Sequence, residues 1–189
     1  MVETGADIKS SERRRRIQDA AWRLVLRHGL RGMTMEALAR EAGIAKATLY
    51  AQFPDKDAVI AGVIEDMLVD LRAAFEAGMA STGTIADKVG AALAGKYGLI
   101  FRALEGSPHT DEIFNEHHRF AARFAAFDER VEAEIAAALA MAGAADAQRL
   151  ARIVIGAAHG IARKMSGAEA IDGAIRLMCA RMIGPEVGG

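Results

Sequence analysis

Thr34-Met-Glu-Ala-Leu-Ala-Arg-Glu-Ala-Gly43 runs straight into Ile44-Ala-Lys-Ala-Thr-Leu-Tyr-Ala-Gln-Phe53, so that two short helical patterns meet at a single glycine. Leu38, Ala39 and Ala42 give the first pattern an apolar face, and Leu49 and Phe53 repeat one turn apart in the second. A tight turn between steeply crossing helices needs a left-handed residue, which Gly43 supplies without a Cβ penalty, and Ala39 is small enough to let the helices approach. The stretch reads as a helix-turn-helix. In such a unit the second helix lies in the DNA major groove while the first crosses the backbone. The residues of the second helix that point away from Leu49 and Phe53 are then its readers: Lys46, Ala47, Thr48, Tyr50 and Gln52. Tyr50 lies about 100° round the helix from Leu49 and is expected to be exposed.

Working outward, Ile17-Gln-Asp-Ala-Ala21, then Gly29, the run Thr34 to Gly43, Thr48-Leu-Tyr50, Phe53 and Lys56 together resemble the DNA-binding domain of the tetracycline-repressor (TetR) family. The likeness covers roughly residues 13–62, about a quarter of the chain, and its spacing is strict. It implies an N-terminal three-helix DNA-binding domain followed by a helical ligand-binding and dimerisation domain. It also implies that Thr34 both caps its helix and faces a phosphate, and that Lys56 lies beside the DNA backbone. Two positions depart from the family pattern. Ala45 stands where a serine usually caps the recognition helix, and Gln52 stands where an aromatic residue or histidine is usual.

Composition agrees with an all-α fold. The chain has 189 residues, 52% of them hydrophobic, which is enough for a full core. β-Branched and aromatic residues are sparse, and Pro54, Pro108 and Pro185 fall between periodic segments, where helices are expected to end. Cys179 is the only cysteine, which excludes a disulfide framework and a Cys/His zinc finger and fits a reducing compartment. No apolar stretch approaches the ~20 residues needed to span a bilayer, so a soluble, cytoplasmic protein without membrane partners is expected.

The net charge of −1 is spread unevenly. Residues 9–52 hold ten Lys and Arg against four Asp and Glu, whereas residues 53–189 hold fourteen against nineteen. A basic head on an acidic body is the asymmetry expected when one end meets phosphate. The head is expected to span residues 1–54 and the helical regulatory body residues 55–189. Within the head, residues 1–10 lack periodicity and read as a loose leader, with helix one starting near Ser10 or Ser11, burying Ile17, Ala20, Ala21, Leu24 and Val25, and ending at Gly29. The arginines Arg13 to Arg16 wind round this helix. Arg13 and Arg14 are the candidates for phosphate or minor-groove contact, as basic arms flanking such units often are.

After Pro54, Asp55 is placed to cap a long helix whose stripe runs through Ile60, Ile64, Met67, Leu71, Phe75 and Met79. A second stripe from Ile85 to Leu104 ends at Glu105-Gly-Ser-Pro108, where Ser107 and Pro108 read as cap and first helical position of the next helix. The period then continues through Ile113, Phe114, Phe120, Phe124, Phe127, Val131, Ile135 and Leu139, with a break near His117, until Gly143. Five of the seven phenylalanines fall between positions 101 and 127. They are core by default. Taken with the neighbouring histidines, Phe101, His109, Phe114, His117, His118, Phe120 and Phe124 match the aromatic, sparsely polar lining of a small-molecule site. Adjacent His117 and His118 point about 100° apart on a helix and no His-x3-His pair puts two ligands on one face, so neither metal nor cofactor is expected, although Asp111, Glu112 and Glu116 could complete a mixed site.

Two final helices, about Asp146–Met165 and Ala168–Ile183, are apolar enough to be half of a four-helix bundle, and a two-fold partner would complete it. Ile153, Gly156, Ala157, Gly160, Ile161, Ile171, Ile175 and Met178 are the expected contact positions. The chain thus reads as a ligand-responsive repressor that binds a palindromic operator in double-stranded DNA as a homodimer and is released by a small apolar or aromatic effector. A helical carrier or enzyme, or a helix-turn-helix used for protein contacts, is the competing reading. No paired carboxylates, Ser-His-Asp set or phosphate loop supports catalysis, and no catalytic residue is assigned.

Overall fold

The computed structural model describes residues 5–115 and 121–187, and among these every regular element is helical. In chain order the helices are α1 (Gly5–Gly32), α2 (Met35–Ala42), α3 (Lys46–Gln52), α4 (Lys56–Met79), α5 (Ile85–Leu104), α6 (Thr110–Asn115), α7 (Ala121–Met141), α8 (Ala147–Lys164) and α9 (Ala168–Val187). They form two compact units. The first holds residues 1–67 and 106–121, the second residues 68–105 and 122–189, so α4 begins in one and ends in the other.

In the first unit, the stripe of α1 is buried as its period requires, with Ile17, Ala20 and Ala21 fully enclosed and Leu24 and Val25 nearly so. Met33, Leu38, Ala39, Leu49 and Phe53 complete this small core. Two terminal devices define α2. The Thr34 hydroxyl accepts the Ala37 amide at 3.2 Å, which satisfies one of the four orphan donors of the first turn. At the other end Gly43 adopts φ 65°, ψ 38°. Its amide donates to Arg40 O at 3.2 Å and that of Ile44 to Ala39 O at 3.0 Å, the paired bonds that let a left-handed glycine close a helix. Asp55 caps α4 by accepting the Ala58 amide at 2.8 Å.

Four boundaries differ from the sequence expectation. Helix α1 starts at Gly5 rather than near Ser10, because Lys9, Glu12 and the arginines are good helix formers and nothing between them interrupts the ladder. Gly29 does break it, at φ 71°, ψ 173°, but a further turn follows to Gly32. Pro185 lies inside α9 rather than beyond its end, two residues before the helix stops at Val187. Ser107 forms a turn instead of capping at Pro108: its hydroxyl accepts the His109 amide at 3.1 Å and donates to Leu26 O at 2.9 Å, and α6 opens only at Thr110. The expected break near His117 lies outside the described residues.

In the second unit, α5 is buried round most of its circumference and packs mainly along α9 and secondarily on α8. Thr84 and Asp87 cap its start reciprocally: Asp87 N donates to the Thr84 hydroxyl at 3.2 Å and Thr84 N to Asp87 Oδ2 at 2.9 Å. This bond and the hydroxyl hold the Asp87 carboxyl below its ordinary range. Phe75 of α4, Leu93 of α5, Val131, Ile135 and Leu139 of α7, Val154 of α8, and Ile171, Ile175, Cys179 and Ile183 of α9 form its core.

Candidate nucleic-acid interface

Helix α3 is seven residues long, and Leu49 is its one fully enclosed side chain. Together with Phe53 just beyond its end, Leu49 turns one face inward, which fixes what the opposite face presents. Lys46 and Ala47 are exposed, Tyr50 is 48% exposed, and Thr48 and Gln52 are half-buried. Ala45 makes no side-chain bond to the first turn of α3, as its identity dictates. The Lys46 ammonium lies 3.1 Å from Glu36 Oε1, an exposed pair between α2 and α3 that holds the Glu36 carboxyl below its ordinary range. A competing phosphate can displace such a pair because solvent already screens it. Thr34 is exposed at the start of α2, with its hydroxyl engaged in the cap.

The basic residues around this face divide by what they touch. Glu41 of α2 binds Arg23 at 3.2 Å and Arg27 at 2.6 Å, and these two arginines lower its pKa. Lys56 is half-buried, and its ammonium donates to the Leu30 carbonyl. Arg16 reaches Ala42 O at 3.5 Å. The Arg14 guanidinium lies 4.1 Å above the Phe53 ring, with Nη1 3.3 Å from Gln52 O. Arg13 is exposed.

Elsewhere, the expected effector residues fall in different units or outside the described residues. Phe101 of α5 and Phe124 of α7 are half-buried in the second unit. His109 belongs to the first, where its Nδ1 is 3.4 Å from Glu112 Oε2. His117, His118, Phe120 and Glu116 lie outside the described residues, as do the side chains of Phe114 and Asp111. Among the described residues no group of three or more His, Cys, Asp or Glu could hold a metal ion.

On the C-terminal pair, Ile153 is 43% exposed, Gly156 and Gly160 are exposed, and Ala157, Ile161 and Met178 are half-buried. Ile171 and Ile175 are corrected: both have no exposed surface within the protomer, because the stripe 171, 175, 179, 183 of α9 is turned inward to build the core. They cannot be contact positions. Leu177, 60% exposed, is on the outer side instead.

One cluster was missed by sequence reasoning. Lys96 of α5 is buried, with its ammonium 2.6 Å from Asp128 Oδ1 and 5.0 and 5.2 Å from the rings of Tyr97 and Phe127. The rings stabilise the cation, and the half-exposed carboxylate neutralises it. Burial pushes the Tyr97 hydroxyl far above its usual range, and the His159 ring packs edge-on to Tyr97 at 6.1 Å. The signal was present in the register, since Lys96 follows Leu93 by three and Val89 by seven and so falls on the apolar stripe.

Residues 17–63 match the family model described as bacterial regulatory proteins, tetR family. The HTH-type transcriptional regulator BetI of Agrobacterium fabrum is 38% identical over 60 residues, which are 32% of this chain and span only 29% of that relative's length. Among solved structures, SCO4454, a TetR-family transcriptional regulator of Streptomyces coelicolor, superposes over 94% of this chain and 97% of its own with a TM-score of 0.73 at 20% identity. A TetR-like transcriptional regulator from Rhodococcus sp. RHA1 does so over 91% and 96% with a TM-score of 0.69 at 19% identity. At such identities the structures establish the fold: all-α, with an N-terminal helix-turn-helix domain and a helical C-terminal domain. The strict motif spacing and the family match across α1 to α4 agree: residues 17–63 form a DNA-binding domain of the type found in the tetR family of bacterial regulatory proteins, and the rest of the chain shares the fold of the solved TetR-like regulators.

Proposed function

We propose that the chain is a transcriptional repressor which binds a palindromic operator as a homodimer and is released by a small apolar or aromatic effector. The observation that carries this reading is the outward face of α3: Lys46, Ala47 and Tyr50 stand in solvent on a short helix anchored by Leu49 and Phe53. Such a helix, presented from a scaffold, is what the major groove accepts. Lys46, Ala47, Thr48 and Gln52 are the base-facing set. Thr34, Tyr50, Lys56 and Arg13 supply backbone contacts. Functionally the reader ends at residue 54, and residues 55–189 regulate it.

The dimer contact is assigned to the outer side of α8 and α9 through Ile153, Gly156, Ala157, Gly160, Ile161 and Met178. The glycines let another helix approach closely, and Ile153 would otherwise remain in water. The effector is assigned to the helical body, with Phe101 and Phe124 of the second unit as its described aromatic candidates. No helix among the described residues is long and apolar enough to cross a membrane, which accords with a cytoplasmic site of action. A gel shift on the DNA flanking the protein's own gene tests the proposal. Retarded bands on that fragment and not on a scrambled duplex are expected, and equal retardation of both contradicts it.

A further inference from the structure

We propose that Arg14 is a positioning residue for the recognition helix: its guanidinium holds the C-terminal end of α3 against α1, and its charge is thereby withdrawn from DNA. The proposal rests on α3 being the reading element, and it alters the role expected for one member of the arginine run.

The need for such a contact follows from how little else holds α3. Its first turn has no side-chain cap, its seven residues bury only Leu49 completely, and no acidic residue lies in its first turn to favour its dipole. A helix of this length is marginal without tertiary anchors. At its far end the last carbonyls lack partners within the helix and carry partial negative charge, which a cation stabilises. Arg14 reaches this end, with Nη1 3.3 Å from Gln52 O. The same guanidinium lies 4.1 Å over the Phe53 ring, whose own amide closes α3 on Leu49 O at 2.9 Å. Phe53 is 1% exposed, so the ring is a fixed platform.

Room for the arrangement comes from Gly62 of α4. A Cβ there would stand 3.5 Å from Arg14 Nη2, 3.3 Å from Phe53 Cε1 and 2.9 Å from the amide of Gln18, the buried residue one turn after Arg14. α1, α3 and α4 thus converge on one guanidinium. Its planar face suits the ring and its N–H fork suits the carbonyl, a combination that lysine does not offer. Arg13 points elsewhere round the helix and is left to meet phosphate.

The consequence separates two quantities that a phosphate contact would join. Losing a phosphate contact weakens binding to all sequences and flattens the salt slope by about 0.9. Losing a clamp misplaces the reading residues, so the preference for the right sequence falls while the slope stays.

The test compares Arg14→Met with Arg13→Ala in the full chain, using duplexes that the wild type selects from a random pool and scrambled duplexes of equal composition. Deuterium exchange at the Phe53 amide and the ring-current shift of the Arg14 side-chain protons are followed in the DNA-free protein. Arg14→Met is expected to speed Phe53 exchange and lower the selected-to-scrambled affinity ratio, each roughly two- to fivefold, at unchanged salt slope. Arg13→Ala should flatten the slope by about 0.9 and leave Phe53 exchange as it was. An Arg14→Met variant with a flattened slope and unaltered exchange overturns the proposal. If the wild type selects no duplex, the DNA-reading assignment fails by itself, and Phe53 exchange in free Arg14→Met decides the clamp: acceleration supports it, no change refutes it.

Discussion

Replacing Gly29 by alanine should destabilise the first unit far more than the same replacement at Gly43, although both glycines have positive φ. Gly43, at φ 65° and ψ 38°, occupies the ordinary left-handed helical region, and a Cβ there would meet nothing within 4 Å. Its alanine variant therefore carries only the backbone term, about 1–2 kcal/mol. Gly29, at φ 71° and ψ 173°, lies in a region open essentially to glycine alone, where strain is about 1–3 kcal/mol. A Cβ there would also stand 2.2 Å from Glu112 Oε2, so the carboxylate must leave and give up the Arg31 amide that it accepts at 3.2 Å. One hydrogen bond adds about 0.5–1.5 kcal/mol. The sum, roughly 1.5–4.5 kcal/mol, exceeds the cost at Gly43 by about 1.5 kcal/mol at the midpoints. Urea unfolding followed by the fluorescence of Trp22, the chain's single tryptophan and a residue of α1, measures both variants. Glu112→Ala should reduce the cost of Gly29→Ala by removing the obstruction while leaving the backbone strain. A Gly29→Ala cost equal to that of Gly43→Ala, or undiminished by Glu112→Ala, would refute the reasoning.

The remaining expectations concern surface, core and titration. Tyr50→Phe should leave folding unchanged, since the ring is half exposed, while Tyr50→Ala should weaken binding to selected and scrambled duplexes alike; a loss confined to the selected duplex would make Tyr50 a base reader. Ala157→Asp should sediment as a folded monomer, whereas Ile175→Glu, placing a carboxylate where no surface is exposed, should unfold the protomer; a folded, monomeric Ile175→Glu would contradict the inward stripe of α9. Partial burial, then the charges of Arg163 and Lys96, lower the His159 pKa. The folded state thus resists protonation, and the stability contributed is complete above the ordinary imidazole pKa of about 6.5 and declines as pH falls through it toward the lowered value. His159→Asn should flatten that part of the stability profile, and an unaltered profile would exclude the residue as its source. Burial pushes the Cys179 thiol up to about 11, so a thiol reagent at mildly alkaline pH should label it only as fast as the protein opens; prompt labelling of the native chain would show that the core of α9 is accessible.

The helix-turn-helix was legible because local chemistry alone settles it. Thr34, Gly43 and Asp55 act through backbone bonds to residues within five positions, and Leu38, Ala39, Leu49 and Phe53 are buried as their period requires. Where the outcome depends on partners distant in sequence, periodicity was silent. Ile171 and Ile175 read as a free apolar face until α5 is seen to cover that side of α9. Arg14 is indistinguishable from its neighbours in a run of four arginines, and only the position of Phe53 singles it out. Lys96 lay on a readable stripe, but its acceptability in the core depends on Asp128 and on the faces of Tyr97 and Phe127. Pro185 reads as lying beyond the end of its helix, whereas α9 runs two residues past it, so the proline marks the helix end only to within a turn.

The central claim, that α3 reads DNA from a two-fold dimer, is tested most directly by selecting duplexes from a random pool with the purified full chain and sequencing what is retained. Two recognition helices related by a two-fold axis meet major grooves about 34–36 Å apart, or a multiple of one helical turn. The account predicts enrichment of an inverted repeat with half-sites at that spacing. Retention of duplexes without any shared sequence, or of a single asymmetric half-site, would contradict it.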